Sequence, residues 1–119
     1  MGMTRVQMRV RQHRKAPDHA DLEFLVDSGA AFTVAPGDVL ERLGIEADSE
    51  QEFRFANGEK VIRKVGDAYF EFQRKGGYSK VIFGEGGDSN LLGVLTLETF
   101  GLVLDPFKRE LKPLPMLLM

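Results

Sequence analysis

An apolar run, Leu22-Glu23-Phe24-Leu25-Val26, ends abruptly on Asp27-Ser28-Gly29-Ala30-Ala31. Hydrophobic patterning does not place an acid at that point, so Asp27 needs a chemical reason. A carboxylate held in a loop at the edge of a core can act as a general acid or base. The Asp-Ser-Gly triplet occurs once in the chain. If Asp27 is catalytic, the second carboxylate that such chemistry shares a proton with must come from another copy of the protein.

Other chemistries have less to work with. The chain has no cysteine, which removes a disulfide framework, a thiolate metal site and a thiol nucleophile. His13 and His19 lie in a charged, Pro-flanked stretch and read as exposed loop residues. Two close histidines, without an acidic cluster of calcium-loop spacing, make a poor metal site, so neither a metal nor another cofactor is expected. Gly84-Glu85-Gly86-Gly87 lacks the Lys-Ser/Thr ending of a phosphate loop. The net charge of -2 gives no global attraction to nucleic acid or to a membrane. The basic stretch 5–15 has no aromatic residues interleaved with its charges, so a solvated strand face is the expectation. No stretch approaches the ~20 apolar residues that span a bilayer, and no N-terminal run resembles a signal peptide. The chain reads as one cytoplasmic domain over residues 1–119, with 43% hydrophobic and 29% charged residues in the balance of a soluble globular protein.

Thirteen glycines among 119 residues point to many tight turns and a β-rich fold. Val6, Met8 and Val10 alternate with Arg5, Gln7, Arg9 and Arg11, the pattern of a half-buried strand. Pro17-Asp18-His19-Ala20 turns the chain, and residues 22–26 return antiparallel to the first strand. Beyond the Asp27 loop, residues 32–35 are a short extended piece. Pro36-Gly37-Asp38 opens a helix with Asp38 as its N-cap, and Gly44 ends it. Residues 46–52 read as an acidic linker. Phe53-Arg54-Phe55 and Val61-Ile62 flank Asn57-Gly58, a strong short-range hairpin signal in which both turn residues accept positive φ. A second hairpin pairs residues 65–73 with 78–83 around a turn at Arg74-Lys75-Gly76-Gly77, and Ala68, Phe70 and Phe72 face the core. After the glycine-rich loop 85–89, Asn90-Leu91-Leu92-Gly93 reads as a buried strand. Residues 94–100 form a second short helix ended by Gly101, and strands over 102–104 and 110–114 flank a turn at 105–108.

Asp27-Ser28-Gly29-Ala30 after Leu25-Val26, with Leu91-Leu92-Gly93 leading into a short helix and a hairpin between them, resembles the retropepsin-like aspartic proteases. The resemblance covers nearly the whole chain. Its segments 90–98 and 101–106 look more like the cellular and bacterial members than the viral ones. It implies a mostly β, closed-barrel acid-protease fold with two short helices and one lobe per chain. It also implies an aspartic endopeptidase built as a homodimer, with Asp27 and its twofold mate as the catalytic pair. Ser28, Gly29 and Ala30 would form the active-site loop. Asn57 and Gly58 would be the tip of a flap, and Leu91 and Leu92 would border the substrate. The partners implied are a peptide or protein substrate and a second copy, with no nucleic acid or membrane.

Two positions depart from the viral pattern. Ala31 stands where those members carry Asp, and Val94 where they carry Arg, so the ion pair that braces a viral dimer is missing on both sides. An apolar tail at 114–119 offers a dimer strand instead. Phe32, Phe53 and Phe55 are candidate pocket walls as well as candidate packing residues. Glu59 and Lys60 beside the flap tip are unusual for an apolar cover. An alternative therefore stands beside the enzyme: a catalytically silent dimer that binds extended peptides or a partner chain.

Overall fold

The computed structural model describes residues 4–55 and 57–114. Two antiparallel strands, β1 (Arg5–Arg11) and β2 (Ala20–Val26), form where the alternation demands them. Met8, Val10, Phe24 and Val26 turn inward and are buried. The basic outer face of β1 is largely exposed and pairs with acids there. Arg9 Nε lies 2.9 Å from Asp21 Oδ1 and Arg11 Nε 2.7 Å from Glu71 Oε1, with Arg5 and Glu23 3.6 Å apart.

The chain then passes through the Asp27 loop to β3 (Thr33–Pro36) and α1 (Gly37–Arg42). Strands β4 (Ala47–Arg54), β5 (Lys60–Phe72) and β6 (Lys75–Gly84) follow as successive antiparallel hairpins. A two-residue strand, β7 (Leu91–Leu92), leads into α2 (Val94–Thr99). A separate hairpin, β8 (Leu102–Asp105) with β9 (Glu110–Pro113), completes the described chain.

The main sheet runs β1-β2-β7-β3-β6-β5-β4, and β1 also pairs with β5 through Val10 and Phe70. Six strands thus close on themselves, leaving β4 as an extra strand on the outside of β5. The expected closed, mostly β architecture with two short helices is the one observed. Inside the ring Phe24 and Phe70 meet edge to face at 6.4 Å, with Met8, Leu40, Leu92 and Val81 around them. Fully burying each such side chain contributes ~1.5–3 kcal/mol. No helix among the described residues is long and apolar enough to cross a membrane.

Three local expectations need correction. Pro36, not Asp38, is the N-cap of α1, because Gly37 is already helical and packs against the end of β6. Asp38 instead takes the adjacent Val39 N–H at 2.9 Å. The acidic stretch 46–52 is mostly strand rather than linker: β4 is exposed almost throughout, so no apolar alternation marks it, and its backbone pairing to β5 makes the strand. The turn between β5 and β6 sits at Gln73 and Arg74, both at positive φ (48° and 68°), and Phe72 pairs with Lys75 across it. Gly76 and Gly77 belong to β6, where their bareness leaves room for the Tyr69 ring and for Thr99 of α2. At the other hairpin Gly58 has positive φ (88°), and the Asn57 side chain accepts the Glu59 N–H at 2.9 Å.

Candidate active site

Strands β2 and β3 are consecutive in the chain but are not neighbours in the sheet. β7 lies between them, parallel to β2 (Leu25 opposite Leu91, Val26 opposite Leu92) and antiparallel to β3 (Val34 opposite Leu91). The loop carrying Asp27 must therefore step across β7. Backbone hydrogen bonds fasten it on the way. Asp27 N–H donates to Leu92 O at 3.0 Å, Val94 N–H to Ala30 O at 2.8 Å, and Leu95 N–H to Ala31 O at 3.1 Å. The last two involve Val94 and Ala31, each bonded through its backbone to a neighbour of the other.

Gly93 makes the crossing possible. A Cβ there would stand 2.5 Å from the Phe32 carbonyl carbon and 2.6 Å from the carbonyl oxygens of Ala31 and Phe32. Its N–H donates to Thr33 Oγ1 at 3.0 Å. That hydroxyl lies 2.6 Å from Thr96 Oγ1, which lies 2.9 Å from Ser79 Oγ. Three buried hydroxyls thus join β3, α2 and β6 beneath the loop. Nothing in the alternation of the sequence singles them out. The one available signal is that Thr33 falls in phase with the inward-facing Ala35.

The Asp27 side chain is half-buried, and its Oδ1 accepts the Gly29 N–H at 2.9 Å. Ala30 N–H returns to Asp27 O at 3.1 Å, tightening the turn. Ser28 and Gly29 are exposed and Ala30 is half-buried. Oδ2 has no hydrogen-bond partner among the described residues, so the carboxyl group is held at one oxygen and free at the other.

A cleft of about 800 Å³ opens beside this loop. Gly29, Ala30 and Ala31 form its floor, with Phe32, Val34, Ile82 and Leu91 as apolar wall. Phe53, Phe55 and Val61 of the β4–β5 hairpin form the opposite side, and Phe53 meets Phe32 edge to face at 6.1 Å. The three phenylalanines named from sequence all line this cleft. So does Leu91. Leu92 does not: its side chain is fully buried in the core, and it serves the site through its carbonyl oxygen. Asn57 and Gly58 are exposed at the hairpin turn, where Phe55 N–H donates to Glu59 O at 2.8 Å, and they are not among the cleft-lining residues.

One ionic pair lines the cleft unannounced by any motif. Arg63 Nε and Nη2 hold Asp88 Oδ2 and Oδ1 at 2.7 and 3.2 Å, and Glu85 N–H adds a third bond to Oδ2 at 2.9 Å. The Arg63 hydrogen bond, helped by the Glu85 N–H, holds the Asp88 carboxyl below the usual carboxylate range against the opposing effect of burial. Among the described residues no three His, Asp or Glu side chains converge as a metal-binding group.

An acid loop stepped across an inserted strand, under a hairpin and beside a peptide-sized cleft, has a counterpart in known proteins. The sequence profile of the family described as "Aspartyl protease" matches residues 7–74, more than half of the chain. The chain belongs to the aspartyl protease family. In fold it is similar to the solution structure of the simian foamy virus (mac) protease, with a TM-score of 0.55 and 19% identity over 79% of this chain and 91% of that one. A comparison with curated protein sequences gives no match. The fold is mostly β, and the matched segment contains the Asp27 loop and the β4–β5 hairpin.

Proposed function

We propose that this chain is an aspartic endopeptidase that works as a homodimer, with the Asp27 carboxyl groups of two copies forming the catalytic pair. The observation that carries this reading is the placement of Asp27, fastened through Leu92 O and Gly29 N–H at the edge of a mostly apolar cleft. Family membership supports the chemistry. One chain supplies one such loop, and a twofold axis supplies the second.

In that arrangement two carboxyl groups share one proton, because two like charges a few ångströms apart do not both ionise readily. The ionised group takes a proton from a water molecule as the water attacks the peptide carbonyl carbon. The protonated group donates to the carbonyl oxygen; the group that took the water's proton then passes it to the amide nitrogen as the C–N bond breaks, while the other regains a proton from the gem-diol hydroxyl, which restores the shared-proton pair and releases amine and acid. Gly29 would leave room for the substrate backbone, and the exposed Ser28 would hydrogen-bond across to the other copy. The β4–β5 hairpin covers the substrate as a flap with Asn57 and Gly58 at its turn, excluding water. An extended peptide between hairpin and floor would bind as an added strand, with side chains in the Phe32, Phe53 and Leu91 cleft. The tail offered as a dimer strand lies, apart from Leu114, outside the described residues.

The test is cleavage of an unfolded protein and a peptide library from acidic to neutral pH by wild type and Asp27→Asn. Wild-type cleavage that Asp27→Asn abolishes, with melting temperature unchanged, is the expected result. Equal cleavage by the two proteins removes Asp27 from the chemistry.

A further inference from the structure

The β4–β5 hairpin outruns the rest of the sheet. β5 pairs with β6 from Val65 onward, whereas residues 60–64 pair with β4 alone. Strand β6 has by then turned to β3, with Phe83 and Gly84 opposite Ala35 and Pro36. The outer part of the hairpin is therefore a two-stranded cantilever. Such a ribbon is marginally stable by itself in water.

Its outer face carries Glu50, Glu52, Ile62 and Lys64. Its inner face presents Gln51, Phe53, Val61 and Arg63 to the cleft. Two of these inner side chains reach the body of the molecule. Phe53 touches Phe32, and Arg63 grips Asp88 in the loop before β7 with two hydrogen bonds. The guanidinium is further fixed by Nη1 donating to Ile62 O at 3.2 Å, with Glu85 Oε1 3.9 Å away. Arg63 and Asp88 are only 15% and 18% exposed, so solvent screens this pair less than the exposed Arg5–Glu23 and Arg9–Asp21 pairs of β1. It also spans the cleft: one partner stands on the hairpin, the other three residues before Leu91 in the cleft wall.

We propose that the Arg63–Asp88 pair is the strap that positions the hairpin over the cleft, and that by setting the hairpin's resting height it sets affinity for an extended peptide. The affinity clause rests on the reading of the cleft as a peptide site. Neither residue touches the reacting atoms; both act through the hairpin. Arg63→Gln removes both charged bonds. Asp88→Asn removes less, because Glu85 is close enough to take over part of the guanidinium.

The test has two arms on the full-length protein. In the first, amide hydrogen exchange is followed in Arg63→Gln and in wild type. Exchange in residues 51–54 and 60–64 is expected to quicken about tenfold, the scale of a lost hydrogen bond to a charged group. Residues 66–72 of the same strand should keep their rates. Unchanged exchange in the hairpin overturns the strap, as does equal quickening along all of β5. Arg63→Lys, which keeps the charge and loses the two-pronged grip, should fall between the two and serves if Arg63→Gln does not fold. In the second arm, peptide cleavage by the same variants should show KM rising about tenfold with kcat little changed, the mark of lost binding that is uniform along the reaction. A fall in kcat at constant KM overturns the positioning role. A wild type that cleaves nothing defeats the protease reading, and the exchange arm still decides the strap.

Discussion

Gly93→Ala is the substitution whose consequence the structure defines most sharply. The new methyl would lie 2.5 Å from one backbone carbon and 2.6 Å from two backbone oxygens. No side chain can rotate away to relieve it. Ordinary contact needs ~3.5 Å or more, so β7 and the Phe32 segment must part by about 1 Å. Torsion is not the problem, since Gly93 has φ −90°, which any residue adopts. Overpacking of this kind costs about 1–3 kcal/mol. The movement also pulls apart the 3.0 Å bond from Gly93 N–H to Thr33, and orphaning a buried polar group costs about 1–3 kcal/mol more. The sum is roughly 2–6 kcal/mol, and at about 4 °C per kcal/mol for a chain of this size the melting temperature should fall roughly 8–24 °C. Asp27 is bonded to the neighbouring Leu92 O, so the displacement also reaches the acid. Peptide cleavage should therefore fall even at temperatures where the variant is fully folded. The measurement is thermal denaturation by circular dichroism beside Gly87→Ala, a site with open space and no positive φ. If Gly93→Ala melts within about 2 °C of that control, the crossing is not as tight as argued.

The hydroxyl cluster makes a second prediction. Thr96→Val keeps the shape but leaves Thr33 and Ser79 each short of a partner, so it should cost about 1–3 kcal/mol in denaturant unfolding, whereas Thr96→Ser retains the bonds and should cost less; a valine variant as stable as wild type would show the cluster to be dispensable. The Arg63–Asp88 pair makes a third. Because the folded carboxyl of Asp88 titrates below its ordinary value of 3.8, its stabilisation is complete above that pH and is lost as pH falls through the lower folded value. The stability gap between wild type and Asp88→Asn should be constant from neutral pH down to about pH 5 and close at more acidic pH; a gap that persists unchanged at the acid end would mean the charge is not what Asp88 contributes.

The parts of this fold that can be read in the sequence are those where burial imposes a period. β1, β2 and the inward face of β5 show it, and so does the run of Leu91 and Leu92 into Gly93. β4 is opaque for the opposite reason: nearly all its side chains meet solvent, and its pairing is carried by backbone groups common to every residue. The glycines draw the expected β5–β6 turn toward Gly76 and Gly77, because glycine is the usual tenant of positive φ, yet Gln73 and Arg74 hold that conformation while Gly76 and Gly77 serve close packing. At the site, the acid, its loop and the cleft phenylalanines were legible as residue types. The sequence pairs Leu92 with Leu91 beside the substrate, but its side chain is sealed in the core, since an apolar pair on a strand necessarily divides between two faces. Arg63 and Asp88 were invisible because no local pattern announces a pair of residues that meet only when the hairpin folds over the cleft.

The inserted strand explains why so distant a pair of segments forms one unit. Strands in a sheet lie ~4.8 Å apart, so a loop joining β2 to β3 across β7 must span about 10 Å. A span that wide would wander unless its backbone groups were satisfied from beneath. β7 and the start of α2 satisfy them, with Leu92 O below Asp27 and the N–H groups of Val94 and Leu95 on Ala30 and Ala31. The side chain at the crossing has to be absent, which makes Gly93 part of the acid's support although it contributes no functional group. The same geometry leaves Asp27 at the rim of its own barrel, anchored at one oxygen and open at the other. On the proposed reading this acid is half of a pair, and its place at the rim leaves it open to a second copy that would bring up the other half.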